Sequence, residues 1–255
     1  MIGVGDEGGV RVLTLDRAER RNALTPEMLG ALNGAIRASA GVRAVALVGA
    51  GAVFCAGFDL KMCAADATGA TLRSLLSGLS EAIRGLRALG APVVVGAHGA
   101  AIAGGAALLG GGDVVVSEAG AKIGYPVARI GVSPAVSAAF LRESVGGRVR
   151  GRLLDPELID GRRAHEIGLV HELAADGASV RARAIEIAGA LGEKPGRGVA
   201  ATKRWLDEIA ASETALGADA AGASLEASLS IVGNDEERAR LEAMWGETKK
   251  GDGDG

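Results

Sequence analysis

The sequence predicts an α/β core followed by a helical C-terminal region. Up to Gly124, short apolar runs that read as strands alternate with segments of helical period. Beyond Pro134 helical segments dominate, with a strand after the helix near Ala164. Glycine supplies a third observation. The 41 glycines among 255 residues are about twice the usual share of ~7%. They follow no period and cluster after the apolar runs, where turns and close backbone approach need them.

Val10–Leu15 ("VRVLTL") alternates and reads as a strand. Thr25-Pro26 is a helix start, a capping hydroxyl followed by Pro at the first helical position. Met28, Leu29, Leu32 and Ile36 give that helix its apolar stripe. Arg43–Val48 is a second strand, ended by Gly49-Ala50-Gly51. Leu72, Leu75, Leu76, Leu79, Ile83 and Leu86 recur at three and four and predict a helix over 71–89. Pro92 opens a third strand, Val93–Ala97, and Ala103–Leu109 reads as a short, tightly packed helix. Val114–Val116 and Lys122–Gly124 are further strands. Helices follow from Pro134, near Ala164, over Ala178–Leu191, and at Lys203–Ala211, Ala218–Val232 and Glu236–Trp245. The tail "KKGDGDG" reads as disordered. The expected organisation is a core over 1–192, a helical region over 193–247 and a tail over 248–255.

Composition removes several function classes. A net charge of −3 creates no field for nucleic acid or an anionic membrane. Aromatic residues at 2% leave few platforms for stacking bases. No apolar run approaches the ~18 residues of a membrane-spanning helix. Cys55 and Cys63 are too few for a disulfide framework, and no signal-peptide pattern opens the chain, so a reduced, cytoplasmic protein is expected.

Most single motifs have a plain structural reading. Gly3–Gly8 matches G-x-G-x-x-G, but the dinucleotide fingerprint needs a strand before it and a helix after it. Two residues precede it and a strand follows, so it reads as a turn. His98, His165 and His171 show no ligand spacing, and no metal site is expected. No G-x-S-x-G elbow is present, and Ser133 and Ser137 sit where helix caps belong. What remains is two glycine loops after strands, Cys55–Lys61 ("CAGFDLK") and His98–Asp113 ("HGAAIAGGAALLGGGD"). N–H groups from two such loops can converge on one oxygen and form an oxyanion hole, worth about 10²–10³ in rate per donor. On spacing alone the loops can equally be turns.

Four stretches together resemble the enoyl-CoA hydratase/isomerase, or crotonase, superfamily: "DRAERRNALTPEML" (Asp16–Leu29), "AVALVGAGAVFCAGFDLK" (Ala44–Lys61), "PVVVGAHGAAIAGGAALLGGGDVVVS" (Pro92–Ser117) and "AHEIGLVHEL" (Ala164–Leu173). The resemblance covers nearly the whole chain. It implies a spiral of ββα units, C-terminal helices used in assembly as a homotrimer or dimer of trimers, and an acyl-CoA thioester as ligand, with no cofactor beyond the CoA of the substrate. It places the oxyanion-hole N–H groups at Phe58 and Gly104, with Gly105 behind. It places the CoA site at Arg21 and Ala23 and along Ala56, Asp59, Leu60 and Lys61. Arg21 and Lys61 are cations suited to CoA phosphates.

The chain departs from the family at two positions. Where hydratases of this family carry two glutamates, this sequence has Ala107 and Val127. A positioned acid or base is worth about 10²–10⁴ in rate. Loss of both argues against efficient hydration and leaves an enolate-holding site. Decarboxylation or isomerisation chemistry fits that remainder. A degenerate acyl-CoA-binding subunit and a hydratase with non-standard residues are the alternatives. Tyr125, Arg129 and Glu143 are the nearest substitutes for the missing acids.

Overall fold

The computed structural model describes residues 1–212, 220–230 and 232–246. The expected tail, residue 247, and positions 218, 219 and 231 of one expected helix lie outside the described residues.

The strands are β1 (Ile2–Glu7), β2 (Val10–Leu15), β3 (Val45–Gly49), β4 (Val93–Gly96), β5 (Ala100–Ile102), β6 (Val114–Glu118), β7 (Lys122–Gly124), β8 (Ile159–Asp160) and β9 (Glu172–Ala174). The helices are α1 (Pro26–Ala38), α2 (Leu60–Ala65), α3 (Ala70–Ala88), α4 (Gly104–Leu108), α5 (Ala138–Val145), α6 (Val149–Leu154), α7 (Gly161–Glu166), α8 (Gly177–Gly192), α9 (Gly196–Ser212), α10 (Ala220–Leu229) and α11 (Asp235–Gly246).

One sheet has six strands in the order β1-β2-β3-β4-β6-β9, parallel except for the β1–β2 hairpin. Its central strands bury both faces, which is why they read as apolar runs. Leu13, Leu15, Val45, Leu47, Val93 and Val95 face the larger core, with the apolar stripes of α1 and α3. Val12, Ala46, Val48, Val94 and Val116 face Val180, Ala184 and Ala188 of α8. The Thr25 hydroxyl accepts from the Met28 N–H at 3.2 Å, the cap the sequence predicts for α1.

The second sheet is β5-β7-β8, and single bridges extend it: Cys55 pairs with Ala101, and Phe58 with Leu24. Each central strand of the large sheet therefore leads into a short stretch of this second layer and then into a helix. β2 leads to Leu24 and α1, β3 to Cys55–Phe58 and α2, β4 to β5 and α4, and β6 to β7 and α5. Four ββα turns stack in this way.

Three local expectations are corrected. Gly3–Glu7 is strand, paired with β2 through its backbone, and the turn is confined to Gly8-Gly9, both at positive φ. With an antiparallel strand rather than a helix after it, the segment cannot cradle a dinucleotide. The segment from Leu60 is helix α2 rather than loop, and Ala100–Ile102 is a strand. His98 takes its expected structural role, with Nε2 at 2.9 Å from the Gly51 carbonyl.

Candidate active site

Two backbone N–H groups mark the candidate site. After Cys55 pairs with β5, Gly57 turns the chain at φ +96°. The Gly57 carbonyl accepts from Leu24 N–H at 2.7 Å, and Asp59 N–H donates to the Leu24 carbonyl at 2.9 Å. This pattern skips the Phe58 N–H. Across the gap, β5 is clamped from both sides: Ile102 N–H donates to Cys55 at 3.0 Å and Ala103 N–H to Gly124 at 2.8 Å. Helix α4 then starts at Gly104, whose N–H, in the first turn, has no acceptor in its own helix. Neither the Phe58 nor the Gly104 N–H has a hydrogen-bond partner among the described residues.

The two loops are in contact. A Cβ added at Gly57 would lie 3.7 Å from the Gly104 nitrogen, and one added at Gly104 would lie 3.0 Å from the Phe58 ring. Gly105 sits closer still: a Cβ there would lie 2.4 Å from the Cys55 carbonyl oxygen, so only glycine fits. Ala103, between strand and helix, holds φ +53° and ψ −111°, a region that favours glycine. Such strain costs about 1–3 kcal/mol and persists where surrounding structure over-determines it. Here the two-sided clamp on β5 does so.

The two loops border two adjoining spaces. The larger is about 480 Å³ and the smaller about 30 Å³; Phe58, Ala103, Val127 and Val132 line both. Ala107 and Val127 both face the smaller cavity, together with Gly104. Tyr125 is buried in the same wall. Burial pushes its phenol well up, with Ser137 pulling weakly the other way. At neutral pH it can donate a hydrogen bond but cannot act as a base. Nearby, burial pushes the Cys55 thiol up to about 12, so it is no nucleophile.

The comparisons with known proteins bear on this arrangement. Residues 5–230 match the family model for enoyl-CoA hydratase/isomerase. The chain belongs to the enoyl-CoA hydratase/isomerase family. It is 35% identical over 211 residues to a putative enoyl-CoA hydratase of Thermus thermophilus, covering 80% of this chain and 81% of that protein. It is 33% identical over 178 residues to the 1,2-epoxyphenylacetyl-CoA isomerase of Escherichia coli K12, covering 67% of this chain and 68% of that one. Among solved structures, an enoyl-CoA hydratase/isomerase from Xanthobacter autotrophicus Py2 superposes with a TM-score of 0.86 at 30% identity, over 98% of this chain and 94% of the other. The stacked ββα turns are thus the crotonase fold.

The positions that the family resemblance marks for CoA gather at one edge. Ala56 N–H donates to the Arg21 carbonyl at 3.0 Å, and Arg17 reaches both Asp59 and the Ala23 carbonyl at 2.9 Å. The Asp59 carboxylate is therefore engaged by Arg17, a residue the sequence reading did not single out. Ala56, Phe58 and Leu60 line the larger space, while Arg21 and Lys61 are exposed beside it. Arg129 lies at the rim, paired with Glu157 at 3.0 Å. Glu143 is corrected: it pairs with Arg87, which also holds Asp207, and lines neither space. Burial raises the Glu143 carboxyl, opposed by Arg87. Ser133 caps as expected, accepting from Ala135 N–H at 3.2 Å, but Ser137 makes no side-chain cap.

Besides Arg17, sequence reasoning missed two contributors. One is Asn22, fully buried against Ala50, Val53 and Phe54. The other is α11, whose Arg240, Leu241 and Ala243 wall the larger space. An Asn ahead of a capped helix is a faint signal for the first; nothing local marks the second. Among the described residues, no group of three or more His, Cys, Asp or Glu could hold a metal, and no helix is long and apolar enough to cross a membrane.

Proposed function

We propose that this protein acts on an acyl-CoA thioester and holds the thioester oxygen with the Phe58 and Gly104 N–H groups as an enolate develops. The observation that carries the reading is the pair of unpaired N–H groups beside a cavity whose only titratable wall residue, among those described, is Tyr125. Fixed donors in a dry site stabilise developing charge without reorganising. Ala107 and Val127 offer no proton, so efficient addition of water is not expected. The chemistry that needs least from side chains is decarboxylation of a malonyl-type thioester. The bond from Cα to the carboxylate breaks and CO₂ leaves. The electron pair moves into the enolate, whose oxygen takes the two N–H bonds. A solvent proton then completes Cα. Isomerisation is the second reading, favoured by the similarity to a relative named as an isomerase. CoA would lie along Arg21, Ala23 and the Ala56–Lys61 segment, with no separate cofactor.

A substrate panel tests this. Purified protein is offered crotonyl-CoA, a 3-enoyl-CoA and methylmalonyl-CoA, with products read by mass spectrometry. Loss of CO₂ or a shifted double bond, with little hydration, is expected. Hydration of crotonyl-CoA at ordinary enzyme rates, about 1–10³ s⁻¹, overturns the role given to Ala107 and Val127. Binding without turnover of any substrate favours a degenerate acyl-CoA-binding subunit.

A further inference from the structure

The larger space beside Phe58 is built for something apolar and sizeable. At about 480 Å³ it lies in the range of roughly 300–1,000 Å³ that holds whole small-molecule ligands. Beyond Phe58 its walls include Cys63, Leu72, Ile130, Val132 and Leu241, all buried although they face the cavity. With the CoA arm along Ala56 and Leu60, an acetyl or malonyl group would leave Leu72, Ile130 and Leu241 uncovered.

The two cations among the lining residues are exposed, Arg129 and Arg240. Arg129 is paired with Glu157 at 3.0 Å, and the Arg240 guanidinium donates to the Arg129 carbonyl at 3.1 Å. Both are engaged with protein at the rim rather than turned to an acyl terminus.

The far wall is set by this chain itself. Arg73, on α3, donates to the carbonyls of Leu229 at 3.0 Å and Val232 at 2.9 Å, where α10 gives way to α11. That anchor positions α11, and α11 carries Leu241 into the wall that Leu72 of α3 also lines.

We infer that the acyl group taken by this site has an apolar, uncharged tail that reaches beyond a butyryl chain, with any carboxylate confined to Cα, and that Leu241 with Leu72 limits its length. The inference rests on the proposed acyl-CoA reading and names the substrate class within it. A buried methylene is worth about fourfold in affinity when fully removed from water.

The test is calorimetric titration of the intact protein with saturated acyl-CoAs, which offer no double bond or α-carboxylate to react. The series runs acetyl, butyryl, hexanoyl, octanoyl and decanoyl, with adipoyl-CoA as the charged counterpart of hexanoyl-CoA. The dissociation constant should fall by about fourfold per added methylene up to a limit beyond butyryl. Adipoyl-CoA should bind at least about tenfold more weakly than hexanoyl-CoA, since burying an unpaired carboxylate is costly. Leu241→Trp and, independently, Leu72→Phe on α3 should each shorten the preferred chain, lowering the octanoyl-to-butyryl affinity ratio by about fifteenfold, roughly two buried methylenes. Circular dichroism verifies that each variant is folded, and the wild-type series stands without them. Equal affinity along the series, or tighter binding of adipoyl-CoA than of hexanoyl-CoA, overturns the inference and leaves the acyl-CoA reading intact. Failure of every acyl-CoA to bind overturns that reading itself.

Discussion

Asn22 shows how one residue sets the position of a loop that carries no chemistry of its own. Its Oδ1 accepts from the Arg17 N–H at 2.8 Å. Its Nδ2 donates to the carbonyls of Ala50, Val53 and Phe54 at 2.8, 2.9 and 3.0 Å. The residue holds φ +54°, which asparagine tolerates better than other side-chain-bearing residues. Four residues later than Phe54 comes Phe58, so this knot fixes the segment that presents the Phe58 N–H. Asn22→Ala should cost about 2–4 kcal/mol, from buried carbonyls left unpaired and a left-handed backbone made less favourable. Asn22→Gly should recover the backbone part alone. Urea denaturation of the three proteins checks this, and equal midpoints for all three would refute it. The sequence reading passed over Asn22 because the carbonyls it holds lie 28 to 32 residues ahead.

At the scale of elements, β9 closes the sheet through His171. The His171 N–H donates to the Val115 carbonyl and the Val115 N–H donates to Nδ1 of His171, both at 2.9 Å. That second bond requires a neutral ring. Burial, then the nearby His165, holds the His171 pKa below its usual 6.5. The unfolded chain therefore binds more protons between the lowered value and 6.5, and stability rises with pH across that window. The contribution is complete above the unfolded value and is lost as pH falls through the folded one. Denaturation midpoints should drop as pH falls below about 6.5, and His171→Gln should flatten that slope. An unchanged slope in the variant would remove His171 as its source. Long elements were legible: the stripe of α3 is buried at the very positions its period marks. Short ones were not. α2 has six residues and no side-chain cap, and β5 has three residues, too few for a period to show.

For the whole molecule, the C-terminal helices divide their surfaces. α10 and α11 pack on α3 and α2, whereas α9 leaves Trp205 62% and Leu206 58% exposed. Lys203 on the same helix reaches Asp113 at 2.6 Å and ties α9 to the core. We propose that this apolar face is buried in a homotrimer or a dimer of trimers, the assembly that the family resemblance implies. Light scattering after size exclusion should give a trimer or hexamer mass, and Trp205→Glu should reduce it, since a charge buried at an interface is strongly disfavoured. A wild-type monomer would end the proposal.

What the sequence by itself determined is local. Apolar period dictates where long helices and doubly buried strands lie, and residue identity alone makes Ala107 and Val127 side chains that hold no proton. Tertiary structure decided which N–H groups remain unpaired. Phe58 is skipped because Gly57 and Asp59 pair with Leu24, and Gly104 is left over because the chain enters a helix straight from a clamped strand. It also decided that α11 closes the apolar pocket, more than a hundred residues after Phe58. Periodicity reports which side of an element meets the core. It carries no information on which distant segment supplies the neighbour, because pairing of that kind is selected by the packing of the whole chain.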